Sequence, residues 1–187
     1  MHKRVCVPLA EGFEEVEALT IVDLLRRAGV VVVMAALADS REVISSHGVK
    51  VVADSLLAEA CDQTFDMIVL PGGMPGSKHL DASEQVRSLL VRYDRDGKFI
   101  AALCAAPMVL GHAGLLKGKK ATSHFSQKEN LRGATYADEP VVVDGRVVTS
   151  QGVGTAIPFA LKLVELLVDR DSAEKIRNAI MYKQAIS

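Results

Sequence analysis

The chain has 187 residues, with 22 Lys and Arg against 23 Asp and Glu, and a formal net charge of −1. Its 49% hydrophobic and 24% charged content is enough for one core in one domain, 1–187. The basic pairs Lys3–Arg4, Arg26–Arg27 and Lys119–Lys120 are scattered, so nothing draws the chain to nucleic acid or an anionic membrane.

The N-terminal apolar run is broken by Pro8 and Glu11, too soon for a signal peptide. No apolar stretch approaches the roughly 20 residues of a membrane helix. Cys6, Cys61 and Cys104 form no CxxC pair and no even disulfide framework. Free thiols and a cytoplasmic location are therefore expected. The Cys and His spacings match no zinc site, and neither a metal nor another cofactor is expected.

In chain order, 4–9 reads as a buried strand and 14–29 as an amphipathic helix closed by Gly29. A second buried strand covers 30–37. A hairpin follows over 42–54, turning near Ser46–His47–Gly48. A short helix is expected over 55–61, capped by Asp54 or Ser55. A strand over 65–70 runs into a glycine turn. Then come a helix over 82–97, a strand over 98–103 and a helix over 106–116. A short strand is expected over 120–124 and a helix over 126–133. The stretch 141–150 is a hairpin about Asp144–Gly145, and helices over 154–169 and 172–184 finish the chain. This alternation predicts an α/β sandwich whose mostly parallel sheet is covered on both faces. Ligands bind such sheets beyond the carboxyl ends of the strands, where "AEGFEE", "PGGMPGS" and "CAAP" fall.

Cys104 stands at a strand-to-helix corner. Amides at the start of the next helix would favour a thiolate there and lower its pKa. Residue type alone leaves open whether it is a nucleophile or a buried structural thiol. Glu17 lies one turn beyond Glu14 on the same helix face. It could face the sheet's carboxyl edge, where a nearby thiolate would push it toward its neutral form, or it could be a solvated helix glutamate. Glu14 and Glu15 suit the positive helix end without a further role. His124, at the end of "ATSH", could reach a thiolate at a neighbouring strand end or simply lie at the surface. Gly72 and Gly73 form a turn whose amides could face a ligand oxygen. No dinucleotide or P-loop pattern is present.

The stretches "LAEGFEEVEALTIVDLLRRAG", "DMIVLPGGMPGS", "IAALCAAP", "ATSH" and "VVTSQGVGTAIPFALKLVELL" together resemble the ThiJ/PfpI family. The likeness is to the branch of the bacterial YajL-type proteins and the parkinsonism-associated deglycase. The resemblance implies a flavodoxin-like three-layer sandwich and a homodimer. It implies that Cys104 is the reactive cysteine, Glu17 the acid bonded to it and His124 the nearby histidine. Gly73 and Ala105 would supply amides to an anion pocket, and Asp23 and Arg27 would lie on the interface helix. Ala105 stands where the peptidase-like branch has histidine, and Ser126 where glutaminases have their glutamate, so neither activity is expected. Val153 replaces the proline of the deglycase branch's "GPGT" turn. The activity implied is a glutathione-independent glyoxalase or deglycase acting on methylglyoxal, glyoxal or early adducts on amines and thiols. The alternatives are a redox-sensing stress protein or chaperone working through oxidation of Cys104, and an inert binding module.

Overall fold

The computed structural model describes residues 2–183. In β1 (Arg4–Leu9) alternate residues face opposite sides of the sheet: Val5, Val7 and Leu9 enter one core and Cys6 the other. α1 (Glu15–Arg27) follows. Glu14 caps it by accepting the Glu17 N–H at 2.6 Å, and Ala18, Ile21, Val22, Leu24 and Leu25 form its buried stripe. Each such large aliphatic side chain contributes about 1.5–3 kcal/mol relative to exposure. Gly29, at φ +75°, turns the chain into β2 (Val31–Ala36), which pairs in parallel with β1.

The hairpin of β3 (Glu42–Ile44) and β4 (Lys50–Val52) forms a separate small sheet. The single helix expected over 55–61 is instead two elements. Ser55–Leu56 is a strand, β5, paired with Ala35 and Ala36, and only Leu57–Ala60 is helical, α2. The open edge of β2 takes the backbone groups that a longer helix would have bonded internally. β6 (Met67–Leu70) is followed by a helix the sequence does not announce, α3 (Gly76–Ala82). It opens on glycine and buries a single large apolar side chain, Leu80, so it shows no helical period.

α4 (Glu84–Arg95), capped by Ser83, leads to β7 (Phe99–Leu103). α5 (Pro107–His112) is shorter than expected, with Gly114 turning the chain at φ +77°. The strand expected over 120–124 is only β8 (Lys120–Ala121). It pairs outside the main sheet with β9 (Thr135–Tyr136). The helix expected over 126–133 is a 3-10 segment, Phe125–Asn130. β10 (Val141–Asp144) and β11 (Val147–Ser150) form the expected hairpin. A 3-10 turn at Val153–Thr155 opens α6 (Ala156–Leu167). α7 (Arg170–Ala179), capped by Asp169, ends earlier than expected, and residue 184 lies outside the described residues.

The main sheet has the order β10-β11-β7-β6-β1-β2-β5, parallel throughout except for β10 against β11. α1, α6 and α7 cover one face, and α2 to α5 the other. This is the three-layer, flavodoxin-like sandwich. β1 lies between β2 and β6, so the strand order reverses beside it and opens a crevice at the carboxyl ends of β1, β6 and β7.

Candidate active site

Cys104 leaves β7 at φ +62°, a left-handed conformation that side chains with a Cβ rarely adopt. Two backbone bonds hold it there. Its N–H donates to the Ser150 carbonyl at 3.0 Å, and its carbonyl accepts the His124 N–H at 2.8 Å. The kink lifts the sulfur out of the line of the strand, partly exposed, at the mouth of α5. The Gly73 and Ala105 N–H groups donate to this sulfur. The turn after β6 and the start of α5 thus converge on one atom.

Glu17 comes from the first turn of α1. Its side chain is 0% exposed, and Oε2 accepts the Gly72 N–H at 2.9 Å. Oε1 is buried with no N–H or O–H group donating to it, and the carboxyl hydrogen-bonds Cys104. Gly72 explains how the two fit together. A Cβ at that position would lie 2.6 Å from both the Cys104 Cβ and Glu17 Oε2. Gly73, at φ +93°, has no more room, since a Cβ would strike the backbone of Phe13 and Glu14.

Burial pushes the Glu17 carboxyl up to about 7. Hydrogen bonds from Cys104 and the Gly72 N–H oppose this, and the Glu14 charge adds to it. Burial also pushes Cys104 up to about 12, reinforced by the charge and hydrogen bond of Glu17 and opposed by the Gly73 and Ala105 amides. The expected lowering of the thiol by the helix amides is therefore overturned: burial and the neighbouring carboxyl outweigh them. Groups this close titrate as a pair, which loses one proton near 7 and the second only near 12. At neutral pH the thiol keeps its proton and the carboxyl is about half protonated.

His124 adjoins the corner through its backbone, but it ends no strand of the main sheet. Its ring Nδ1 faces the Ser126 hydroxyl at 2.8 Å, and the ring packs on Phe125 with centroids 4.2 Å apart. Asp23 and Arg27 form an exposed ion pair at 2.7 Å on the outer face of α1. Glu14, read from sequence as a simple helix-end charge, is buried and caps the helix that carries Glu17.

Sequence reasoning missed two supports. Gly152 brings its backbone beside the sulfur, where an added Cβ would lie 3.9 Å from Sγ. Thr155 fixes that loop: its hydroxyl accepts the Gly152 N–H at 3.0 Å and meets the Ser150 hydroxyl at 2.7 Å. The "GVGT" stretch carries the signal, a threonine just before a helix. A cleft of about 350 Å³ lined by Cys61, Phe65, Arg92 and Tyr93 lies at the amino ends of β6 and β7, apart from this chemistry.

A model of the DJ-1/PfpI family matches residues 3–166. Protein dj-1beta of Drosophila melanogaster is 40% identical over 183 residues, covering 97% of this chain and 98% of its own. The glutathione-independent glyoxalase DJR-1.2 of Caenorhabditis elegans is 37% identical over 159 residues, 84% of each chain. The structure of oxidized Toxoplasma gondii DJ-1 matches with a TM-score of 0.94 at 40% identity, covering 97% of this chain and 100% of that one. The chain spans about half the length of two Arabidopsis thaliana relatives, DJ-1 homologs A and B, at 47% and 42%. Aligned over nearly its whole length in both sequence and backbone, this chain belongs to the DJ-1/PfpI family.

Proposed function

We propose that the protein is a cysteine-dependent, glutathione-independent glyoxalase or deglycase. Its substrates are methylglyoxal, glyoxal and their early adducts on amines and thiols. The observation that carries this reading is the buried Glu17 carboxyl hydrogen-bonded to a Cys104 sulfur that also receives two backbone amides. A carboxyl oxygen with no donor of its own is the natural seat of a proton, and amides aimed at sulfur favour negative charge there. At rest burial keeps the last proton of the pair on sulfur; in the reactive form that proton passes to Glu17 Oε1 and leaves the charge on Cys104.

The thiolate adds to the aldehyde carbon of methylglyoxal, and the carbonyl oxygen takes the Glu17 proton to give a hemithioacetal. The Gly73 and Ala105 amides stabilise the oxyanion as it forms. The Glu17 carboxylate then removes the hydrogen on the sulfur-bearing carbon and returns it to the adjacent carbon. The first carbon is oxidised and the second reduced, which leaves a lactoyl thioester. Water releases lactate and restores the pair. No outside oxidant or metal enters the balance. The glyoxalase name of the nematode relative agrees with this chemistry.

The experiment is lactate formation from methylglyoxal by metal-free protein without glutathione, compared with Cys104→Ser. Equal rates in the two would remove the thiol from the mechanism.

A second reading rests on the same partly exposed sulfur and on the Toxoplasma gondii relative described as oxidized. Peroxide would convert the thiolate to a sulfenate and then a sulfinate, each step releasing water. The Glu17 O–H and the two amides would hold the sulfinate oxygens, and the oxidised form would serve as a stress sensor or chaperone. Intact mass after mild peroxide tests it: a protein that gains no oxygen at Cys104 is no sensor.

We place the protein in the cytoplasm, where three unpaired thiols persist; among the described residues, no helix is long and apolar enough to cross a membrane. We also propose a homodimer through the outer face of α1, where Val16 and Leu19 are exposed beside the Asp23–Arg27 pair.

A further inference from the structure

We propose that Glu14 is a positioning residue for the Glu17–Cys104 pair: its carboxylate fixes the backbone of Glu17, and its charge drives the shared proton onto the Glu17 carboxyl. The inference deepens the function proposed above and rests on it for the chemistry, but not for the state of the pair.

Hydrogen bonds close a ring around this corner. Glu14 Oε2 accepts the Glu17 N–H at 2.6 Å. The Glu14 N–H donates to the Gly72 carbonyl at 2.9 Å. The Gly72 N–H returns to Glu17 Oε2 at 2.9 Å. The start of α1, the turn after β6 and the acid of the pair therefore hold one another in place. The same turn reaches the thiol. Gly73 packs so closely that a Cβ there would strike the Glu14 nitrogen, and its own N–H donates to Cys104.

Capping alone does not require this residue. Serine, threonine or asparagine accepts an N–H at a helix start without carrying a charge. Glu14 is only 8% exposed, and a buried charge costs stability unless a partner offsets it. The basic group that faces it, His47, is exposed. Its Nδ1 stands 3.9 Å from Glu14 Oε1 but 3.1 Å from Glu15 Oε1, so it serves Glu15 first and neutralises Glu14 weakly.

The charge acts on Glu17. Two carboxylates at close quarters resist ionising together. Among the described residues, Cys104 and Glu14 are the titratable groups that act on the Glu17 carboxyl, and Glu14 makes it hold its proton more firmly. The thiol responds to Glu17 but not to Glu14. The Glu14 charge therefore biases the one-proton pair toward protonated carboxyl and thiolate, the form that attacks an aldehyde.

The test is the pH dependence of Cys104 alkylation by iodoacetamide in the whole protein. The mass of the Cys104 peptide separates its reaction from that of Cys6 and Cys61. The wild-type rate is expected to rise through about 7 as the pair loses its first proton. Glu14→Gln keeps an acceptor for the Glu17 N–H and removes the charge. Its rise is expected about one pH unit lower, and its plateau at about a tenth of the wild-type rate, because a weaker carboxyl base leaves less thiolate. Glu14→Asp, which restores a charge, should move both back toward the wild type. Glu15→Gln should leave the midpoint where it is. If glutamine disturbs the fold, Glu14→Asp and Glu14→Asn, both good helix caps, repeat the comparison with the charge present and absent. An unmoved midpoint in the uncharged variant overturns the proposal, as does an equal shift in Glu15→Gln. A fall in rate without the downward shift makes Glu14 a cap and nothing more, and overturns it too. Lactate formation is measured separately: its absence in the wild type would sink the glyoxalase reading and leave the alkylation profile to be judged on its own.

Discussion

The Glu17 carboxyl meets the Cys104 sulfur at the crevice beside β1, and Gly72 sits so tightly between them that no side chain could replace its hydrogen. The acid comes from the helix layer on one face of the sheet, and the thiol from the end of the neighbouring β7. Their closeness governs both the charge of the pair and the chemistry proposed for it.

Replacing the sulfur tests the nucleophile. Cys104→Ser keeps the size of the side chain but loses a ready anion, and glyoxalase activity is expected to fall by about a thousandfold or more. Lactate release measured with excess methylglyoxal gives the answer directly.

Glu17→Gln separates hydrogen bonding from proton transfer. The amide oxygen can still accept the Gly72 N–H, and the amide NH₂ can still donate to sulfur. Activity is nevertheless expected to drop by about 10²–10⁴. His124→Ala is expected to cost less than about tenfold, because its ring is engaged by Ser126. The reverse order of these two losses would make His124 the proton carrier.

The same carboxyl makes stability depend on pH. Glu17 in the fold holds its proton to about 7, against an ordinary value of 4.5. Between those values the folded chain binds more protons than the unfolded chain. Its contribution is whole below pH 4.5 and is lost as pH rises through 7, by up to about 3 kcal/mol. Urea unfolding across this window should show the decline in the wild type and a flatter profile in Glu17→Gln. Parallel profiles would place the Glu17 proton elsewhere.

Gly72→Ala brings a methyl group to 2.6 Å from both the Cys104 Cβ and Glu17 Oε2. It should destabilise the protein by about 1–3 kcal/mol and abolish turnover by parting the pair. Thermal unfolding and activity measured on one preparation distinguish a displaced pair from a chain that has simply failed to fold.

Thr155→Val removes the hydroxyl that receives the Gly152 N–H and meets Ser150. A loss of about 1–3 kcal/mol is expected, with weaker activity because the Gly152 loop borders the sulfur. Thr155→Ser should recover most of both. Failure of serine to do so would assign the effect to packing of the methyl group.

Much of the architecture was legible before any tertiary information. Continuous apolar strands such as "MIVL" and amphipathic helices such as α1 and α4 carry their own period, and the turn glycines mark their ends. Short elements were not legible. β5 exists because the edge of β2 needs a partner, and α3 because Leu80 reaches a core formed elsewhere, so neither leaves a local pattern.

Sequence alone determined the candidates: a cysteine at a strand-to-helix corner, an acidic helix start and a glycine turn. It also determined the alternation that brings strand ends to one edge, because hydrophobic period and turn chemistry are local properties. Only the tertiary structure decided that Glu17 is sealed against the sulfur, that burial outweighs the helix amides at Cys104, and that His47 folds back onto Glu14 and Glu15. Desolvation and contact between distant segments depend on what the rest of the chain packs around a group, and no local stretch of residues encodes that.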